Sequence, residues 1–291
     1  MTPESTLPPF ELCGIGDEAA PSLERQLTAV RLLGWSRLEL RSVDGVPVSE
    51  LSAHAFARVV DAIAEAGVTV PCVDSRIANW ARPVSTPFAT DLSELDVLAD
   101  RCAALGTRFV RIMSYPNDGL PEPHWEREVL SRIARLTARA ERAGLVLVHE
   151  NCAGWAASEP QRMLRMLDAA HGSPALRLLF DTGNGIAYGY RGAGLLREIS
   201  PYVAHVHIKD GTGDTRRQHY TLPGEGDCEV AACLRHLYAH GYTGGLSIEP
   251  HVNLRPHEGW SDPAGDHVEP FVAYGRRLER LLATLRTGGG A

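Results

Sequence analysis

The sequence contains no CxxC pair, no G-x-G-x-x-G turn, no basic stretch and no apolar run approaching ~20 residues, and each absence removes a class of protein. Six cysteines (Cys13, Cys72, Cys102, Cys152, Cys228, Cys233) are scattered singly. They suit neither a zinc finger nor a disulfide framework, so reduced and mostly buried thiols are expected. The start MTPESTLPPFELCG lacks the positive charge and continuous apolar core of a signal peptide, and no segment is long enough to span a bilayer, so a cytoplasmic protein off the membrane is expected. With 29 Lys and Arg against 36 Asp and Glu, the net charge of -7 offers no footprint for nucleic acid or anionic lipid. A small molecule is the expected partner. No linker rich in Pro, Gly or Ser divides the 291 residues, which are read as one domain over 1–291 with a frayed tail at about 286–291.

What is present is apolar material in a regular order. Apolar residues make up 44% of the chain and charged ones 22%, enough for a sizeable core. Short apolar runs alternate with longer amphipathic ones, the pattern of parallel strands and crossover helices. The expected strands are Phe10 to Ile15, Arg37 to Arg41, Val68 to Asp74, Arg108 to Met113, Leu145 to Glu150, Leu176 to Asp181, Val203 to Lys209 and Gly245 to Glu249. Helices are expected where apolar residues recur every three or four positions: Leu51 to Ala66 with Gly67 as its stop, a segment opened by an Asp91–Glu94 capping box and closed by Gly106, Trp125 to Gly144, Glu159 to Ala170, Leu195 to Ile199, Glu229 to His240 and Val268 to Leu285. Eight strand–helix units in one domain predict an α/β fold, a single (β/α)8 TIM barrel with its active site at the C-terminal strand ends. A doubly wound sheet is the rival, and it lacks its usual dinucleotide turn here.

Four strands in the C-terminal half deliver a ligand-type side chain near their ends: Glu150 in GLVLVHEN, Asp181 in RLLFDTGN, His207 in VAHVHIKD and Glu249 in GGLSIEPH. In a parallel barrel those ends share one mouth, so the four can converge on one divalent cation. Mixed carboxylate and imidazole ligands favour Mn²⁺ as first choice, with Mg²⁺, Co²⁺, Fe²⁺ or Zn²⁺ as alternatives. His205 shares a face with His207 but lies deeper, which suits a hydrogen-bonded core histidine. Lys209 is placed to meet a substrate oxygen, Asp210 to brace a loop, and Asn184 to bind a substrate hydroxyl or to turn the chain.

The runs ELR, HEN, FDTGN, HVHIKD, LPGEGD and GYTGGLSIEP resemble the sugar phosphate isomerase/epimerase group of the xylose isomerase-like TIM barrels over nearly the whole chain. The resemblance to members similar to D-tagatose 3-epimerase implies one divalent metal held by Glu150, Asp181, His207 and Glu249, with Glu150 and Glu249 also moving protons as the catalytic pair. Many such relatives carry histidine where this chain has Asn184, which implies an altered substrate contact there. Related apurinic endonucleases need a histidine-rich zinc cluster. Asn184, Asp74-Ser75 and Ser114-Tyr115 do not supply it.

The remaining mouth residues have two readings each. Glu39 and Arg41 share one face of the second strand, where they contact substrate or form a salt bridge closing the barrel. Trp80 and Trp155 wall a sugar pocket or pack over the barrel top. Arg216 and Arg217 suit a carboxylate or phosphate of the substrate or stand as solvated loop charges. The connection HVNLRPHEGWSDPAGDHVEP is long enough for a lid or a contact in a homo-oligomer. The expected function is a metal-dependent isomerase or epimerase of a ketose, sugar or cyclitol, acting by proton abstraction beside a polarised carbonyl. Each glutamate is expected to keep one oxygen free of the metal as base or acid. A dehydratase of the inosose or dehydroshikimate type is the alternative, and a non-catalytic sugar-binding subunit a third reading.

Overall fold

The computed structural model describes residues 10–251, 254–255, 260–261 and 266–287. Eight barrel strands follow in chain order: β1 (Glu11–Gly14), β2 (37–41), β3 (Cys72–Asp74), β4 (Phe109–Ser114), β5 (Val146–Gly154), β6 (Leu176–Asp181), β7 (Val203–Ile208) and β8 (Gly245–Ile248). Seven of them make one parallel sheet in the order β1-β8-β7-β6-β5-β4-β3. Its two edges are joined through β2 by isolated parallel bridges, Ile15 to Glu39 on one side and Arg37 to Thr69 and Leu40 to Val73 on the other. Backbone bonds from Glu39 N to Gly14 O (2.9 Å) and from Asp74 N to Leu40 O (2.8 Å) complete the ring. The expected TIM barrel is present.

Strand limits differ from expectation for local reasons. Pro71 has no amide hydrogen to give to a ladder, so β3 begins at Cys72 and not at Val68. β5 runs on past Glu150 because, after a register shift, Gly154 pairs with Ser114. Gly154 sits at φ 109°, and a Cβ there would stand 2.3 Å from the Ser114 carbonyl carbon, so glycine permits this close approach.

The helices form the outer layer. Ser52 caps the Ala53–Glu65 helix by accepting from Ala55 N at 3.1 Å, and Val59 and Ile63 face the core. The expected capping box does not form. The next helix, Phe88–Leu105, begins three residues before Asp91, whose buried carboxylate accepts from Arg82 and from the Tyr115 hydroxyl, both at 2.6 Å. Gly106 ends that helix at φ 68°, as expected. Helices at Glu122–Arg142, Pro160–Ala169, Gly192–Ile199, Val230–Ala239 and Val268–Thr287 match the other amphipathic runs to within a turn. Leu23–Leu33 and the short Asn184–Tyr188 are additional helices.

Alternation divides the barrel's interior into two levels. Val146 and Val148 share the inward face with Glu150, and with Cys72 and Leu179 they form an apolar plug below the mouth. The main core lies between strands and helices, where Leu38, Leu40, Val110, Ile112 and Phe180 are fully buried. Each such side chain contributes roughly 1.5–3 kcal/mol of apolar burial. Among the described residues no helix is long and apolar enough to cross a membrane. Half of the expected lid segment (252–253, 256–259 and 262–265), and the tail beyond 287, lie outside the described residues.

Candidate metal centre

Register brings the four expected ligands to one level. Asp181 of β6 pairs with His207 of β7, and Ser247 of β8 pairs with His207 on its other side, two residues before Glu249. Glu150 arrives from β5, so Asp181 and His207 stand between the two glutamates in strand order. One ligand atom from each of Glu150, Asp181, His207 and Glu249 lies within 4.8 Å of all the others, and the four side chains are buried.

The chemistry of these atoms fits a divalent cation. Asp181 Oδ2, His207 Nδ1 and Glu249 Oε2 are buried without a hydrogen-bond partner among the described residues. The Lys209 ammonium lies 3.1 Å from Asp181 Oδ2 and 2.7 Å from Glu249 Oε2. Buried lone pairs converging on one space are costly unless a cation meets them. Two carboxylate oxygens and an imidazole nitrogen, with Glu150 beside them, suit a hard or borderline ion.

Each ligand is held from behind. Asp181 Oδ1 accepts from the amides of Gly183 and Asn184, both at 2.7 Å, and so caps the Asn184–Tyr188 turn of helix. Asn151 clasps the Asp181 backbone, accepting from its N–H at 2.6 Å and donating to its carbonyl at 2.9 Å. His207 Nε2 lies 3.0 Å from Glu39 Oε1, and His205 Nε2 lies 2.8 Å from the other oxygen of Glu39. Glu39 is therefore not at the mouth. Both its oxygens are engaged by imidazoles inside the barrel, where substrate contact is blocked, and it forms no salt bridge with Arg41.

Arginine holds one oxygen of each glutamate. Arg41 Nη1 donates to Glu249 Oε1 at 3.0 Å while its other nitrogens hold Asp17 and Glu18. Arg111 Nη1 donates to Glu150 Oε2 at 2.9 Å, with its Nε 3.4 Å from Asp74 Oδ1. The second Glu150 oxygen accepts from Asn184 Nδ2 at 2.8 Å. A carboxylate oxygen has two lone pairs, so each keeps accepting capacity after one such bond.

These contacts set the charge states. Burial alone would raise Glu150, but Arg111, His207 and Lys209 together outweigh it and hold the carboxyl below its usual range. For Glu249 burial is likewise outweighed, here by Lys209, His251 and His207, and the carboxyl stays well below the usual value. Burial pushes Asp181 up to about 6 despite the opposing pull of Lys209. His207 would be lowered by burial, yet the carboxylates of Glu39, Glu249 and Asp74 together carry it well above an ordinary histidine.

The other expected site residues fall in different places. Lys209 reaches the cluster, and its ammonium also donates to Asn184 Oδ1 at 3.0 Å, so Asn184 bridges Lys209 and Glu150 with both ends of its amide. Asp210 does brace a loop, accepting from the amides of Gly224, Gly226 and Cys228. Trp155 is only 2% exposed and donates its indole N–H to Glu122 at 2.9 Å, so it packs under the loop instead of walling an open pocket. Trp80 stands 39% exposed. Arg217 is exposed on the hairpin Gly211–Asp214/Arg217–Tyr220, and Arg216 precedes it in the turn. Neither guanidinium joins the quartet.

Sequence reasoning missed Arg111 and Asn151. An arginine inside the apolar run FVRIMS was a usable signal, because arginine is almost never buried unpaired. Asn151 carried no signal apart from its place after Glu150.

A family profile described as xylose isomerase-like TIM barrel matches residues 27–268. The chain is 31% identical over 163 residues to a 2-epi-5-epi-valiolone 7-phosphate 2-epimerase from Actinoplanes sp., covering 56% of this chain and 58% of that protein. It is 24% identical over 145 residues to an inosose dehydratase from Clostridium perfringens, covering 45% of this chain and 48% of that protein. The chain thus spans about half the length of these curated relatives. A solved xylose isomerase-like TIM barrel protein from Mycobacterium smegmatis in complex with magnesium superposes with a TM-score of 0.68 at 17% identity, over 96% of this chain and 97% of that one.

Proposed function

The chain belongs to the xylose isomerase-like TIM barrel family, and from that premise we propose that it is a divalent-metal-dependent epimerase or isomerase acting on a ketose, sugar phosphate or cyclitol. The observation that carries this reading is the convergence of Asp181 Oδ2, His207 Nδ1 and Glu249 Oε2, all buried, without hydrogen-bond partners among the described residues and with the Lys209 ammonium as countercharge to the two carboxylate oxygens, beside Glu150. The epimerase relative and the magnesium complex of a protein with this fold support it. Manganese is the proposed cation, by the mixed oxygen and nitrogen ligand set.

A cation held there supplies Lewis-acid polarisation of a substrate carbonyl, which acidifies the neighbouring carbon-bound hydrogen. Glu150 and Glu249 are anionic at neutral pH and stand on opposite sides of Asp181 and His207. One takes the proton through its unused lone pair, and the other, after taking up a proton from solvent, delivers it to the opposite face. Arg111 and Arg41 keep the two carboxylates oriented throughout. Lys209, on its flexible stem, donates to the substrate oxygen that gains negative charge. Asn184 holds Glu150 and Lys209 in fixed relation, a bridging part in place of the substrate contact expected from sequence.

Loss of a β-hydroxyl after the same proton abstraction would make the protein a dehydratase, and the inosose dehydratase relative favours this as the second reading. The test is a panel of ketoses, inososes and phosphorylated sugars incubated with Mn²⁺-loaded protein in deuterated water and followed by NMR. An epimer or isomer carrying solvent deuterium supports the first reading, and a dehydrated product the second. No turnover across the panel, with Mn²⁺ bound, counts against both.

A further inference from the structure

The geometry points to Glu39 as a positioning residue that fixes the proton of His207 on Nε2 and thereby presents Nδ1, as a lone pair, to the metal. The inference rests on the metal-centre reading above and adds a residue from the opposite side of the barrel.

His207 meets different chemistry on its two ring nitrogens. Nε2 lies 3.0 Å from Glu39 Oε1, while Nδ1 has no hydrogen-bond partner among the described residues and lies 3.6 Å from Glu249 Oε2. A carboxylate oxygen only accepts, so a neutral His207 must carry its proton on the nitrogen facing Glu39. The free lone pair then belongs to Nδ1, which is aimed into the quartet. With the opposite tautomer, an N–H would point at the place a cation must occupy, and the Glu39 contact would set two lone pairs against each other.

His205 makes the arrangement rigid. Its Nε2 lies 2.8 Å from Glu39 Oε2, so the carboxylate is held at both oxygens and cannot rotate away from His207. The two rings stand nearly perpendicular, at 84°, which lets one planar carboxylate serve both from below. Gly245 leaves room for the ring of His205, since a Cβ on Gly245 would come within 3.2 Å of it. Glu39, His205 and His207 are each at most 1% exposed, so no solvent competes for these bonds. A carboxylate behind a metal-bound imidazole raises its basicity and fixes its direction, and loss of such a partner generally weakens metal binding 10–100-fold.

Two measurements on the full chain test this. Calorimetric titration with Mn²⁺ should show the Glu39→Gln variant binding roughly 10-fold more weakly than wild type, and Glu39→Leu up to roughly 100-fold more weakly. The amide of glutamine can still accept from one imidazole, so its loss should be the smaller. Independently, ¹⁵N NMR of the metal-free wild-type protein, followed upward in pH until the His207 ring is neutral, should show its remaining proton on Nε2, a readout that needs no variant to fold. Equal Mn²⁺ affinity in a folded Glu39 variant, or His207 protonated on Nδ1 alone, overturns the role of Glu39 while leaving the metal centre standing. Failure of wild type to bind Mn²⁺ overturns both.

Discussion

The Lys209 ammonium lies 2.7 Å from Oε2 of Glu249, deep in the barrel mouth and with both side chains buried. A charged amine there satisfies part of the acidic quartet, and its charge would repel a divalent cation brought to the same oxygens. The pair therefore ties metal affinity to a lysine. Replacing Lys209 with Met should tighten Mn²⁺ binding measured by calorimetry while lowering kcat at least ~10-fold, because the donor to the substrate oxygen is lost. Weaker Mn²⁺ binding with unchanged kcat would contradict both halves.

Asp181 has a structural and a ligand role that can be separated. Its Oδ1 caps backbone amides, and its Oδ2 faces the cluster. Asp181→Asn keeps a capping oxygen and should unfold in urea within ~1 kcal/mol of wild type, whereas Asp181→Ala should lose a further ~0.5–2 kcal/mol with the cap. Both should lose most Mn²⁺ binding. Retention of wild-type affinity in Asp181→Asn would remove Asp181 from the centre.

Arg111 is the countercharge of Glu150 in the barrel interior, with Asp74 Oδ1 3.4 Å from its Nε. Arg111→Met leaves the buried Glu150 carboxylate without its countercharge, for which the typical cost is ~3–5 kcal/mol. Equilibrium urea unfolding at neutral pH should show a loss of that order. A change under ~1 kcal/mol would mean that the carboxylate finds another partner or water.

His149 faces away from the site and should govern part of the acid limb of stability. Both its ring nitrogens are buried with no partner among the described residues, and burial lowers its pKa from 6.5 to about 4. Above ~6.5 the ring is neutral in folded and unfolded chains alike, so it imposes no penalty. As pH falls from 6.5 towards 4 the unfolded chain takes up the proton first, and stability falls by up to roughly 3 kcal/mol. His149→Leu should remove that component, so the difference between variant and wild type in urea unfolding should grow in favour of the variant between pH 6.5 and 4. A difference constant with pH would show that His149 does not titrate in this way.

The quartet could be read from sequence because a parallel strand announces itself by apolar content and ends where a polar residue must face the mouth. Asp181, His207 and Glu249 all follow that rule, so a single assumption, a closed barrel, placed them together. The supporting contacts were illegible for a physical reason: Glu39 and Arg41 lie on one strand and alternate onto one face, yet neighbours across the barrel, not along the strand, decide their partners. Glu39 meets His205 and His207, and Arg41 meets Glu249, all from strands far away in sequence. The Asp91 capping box failed for a similar reason. Arg82 and Tyr115 offered its carboxylate better bonds than the helix terminus did. The Leu23–Leu33 helix, by contrast, was readable, with Leu23, Leu27, Val30 and Leu33 on one face and Gly34 as its left-handed stop.

The reaction itself supplies the sharpest test. A hydride shift between adjacent carbons retains the migrating hydrogen, whereas proton abstraction exposes it to exchange. The placement of Glu150 on β5 and Glu249 on β8, with β6 and β7 between them, suits two groups addressing opposite faces of one carbon. Arg111 beside Glu150, and Lys209, His251 and His207 beside Glu249, keep both carboxyls below their usual range, so each can act as base, and the one that returns a proton first takes it from solvent. Turnover in deuterated water should therefore place solvent deuterium on the reacting carbon. Glu150→Gln and Glu249→Gln should each lower kcat by at least ~100-fold, the low end for general acid–base catalysis. Under the epimerase reading, deuterium exchange should persist more strongly in one of the two variants, because the glutamate that removes the proton can still act when its opposite cannot return one. Product without solvent label, in the presence of full activity, would replace proton transfer by a hydride shift.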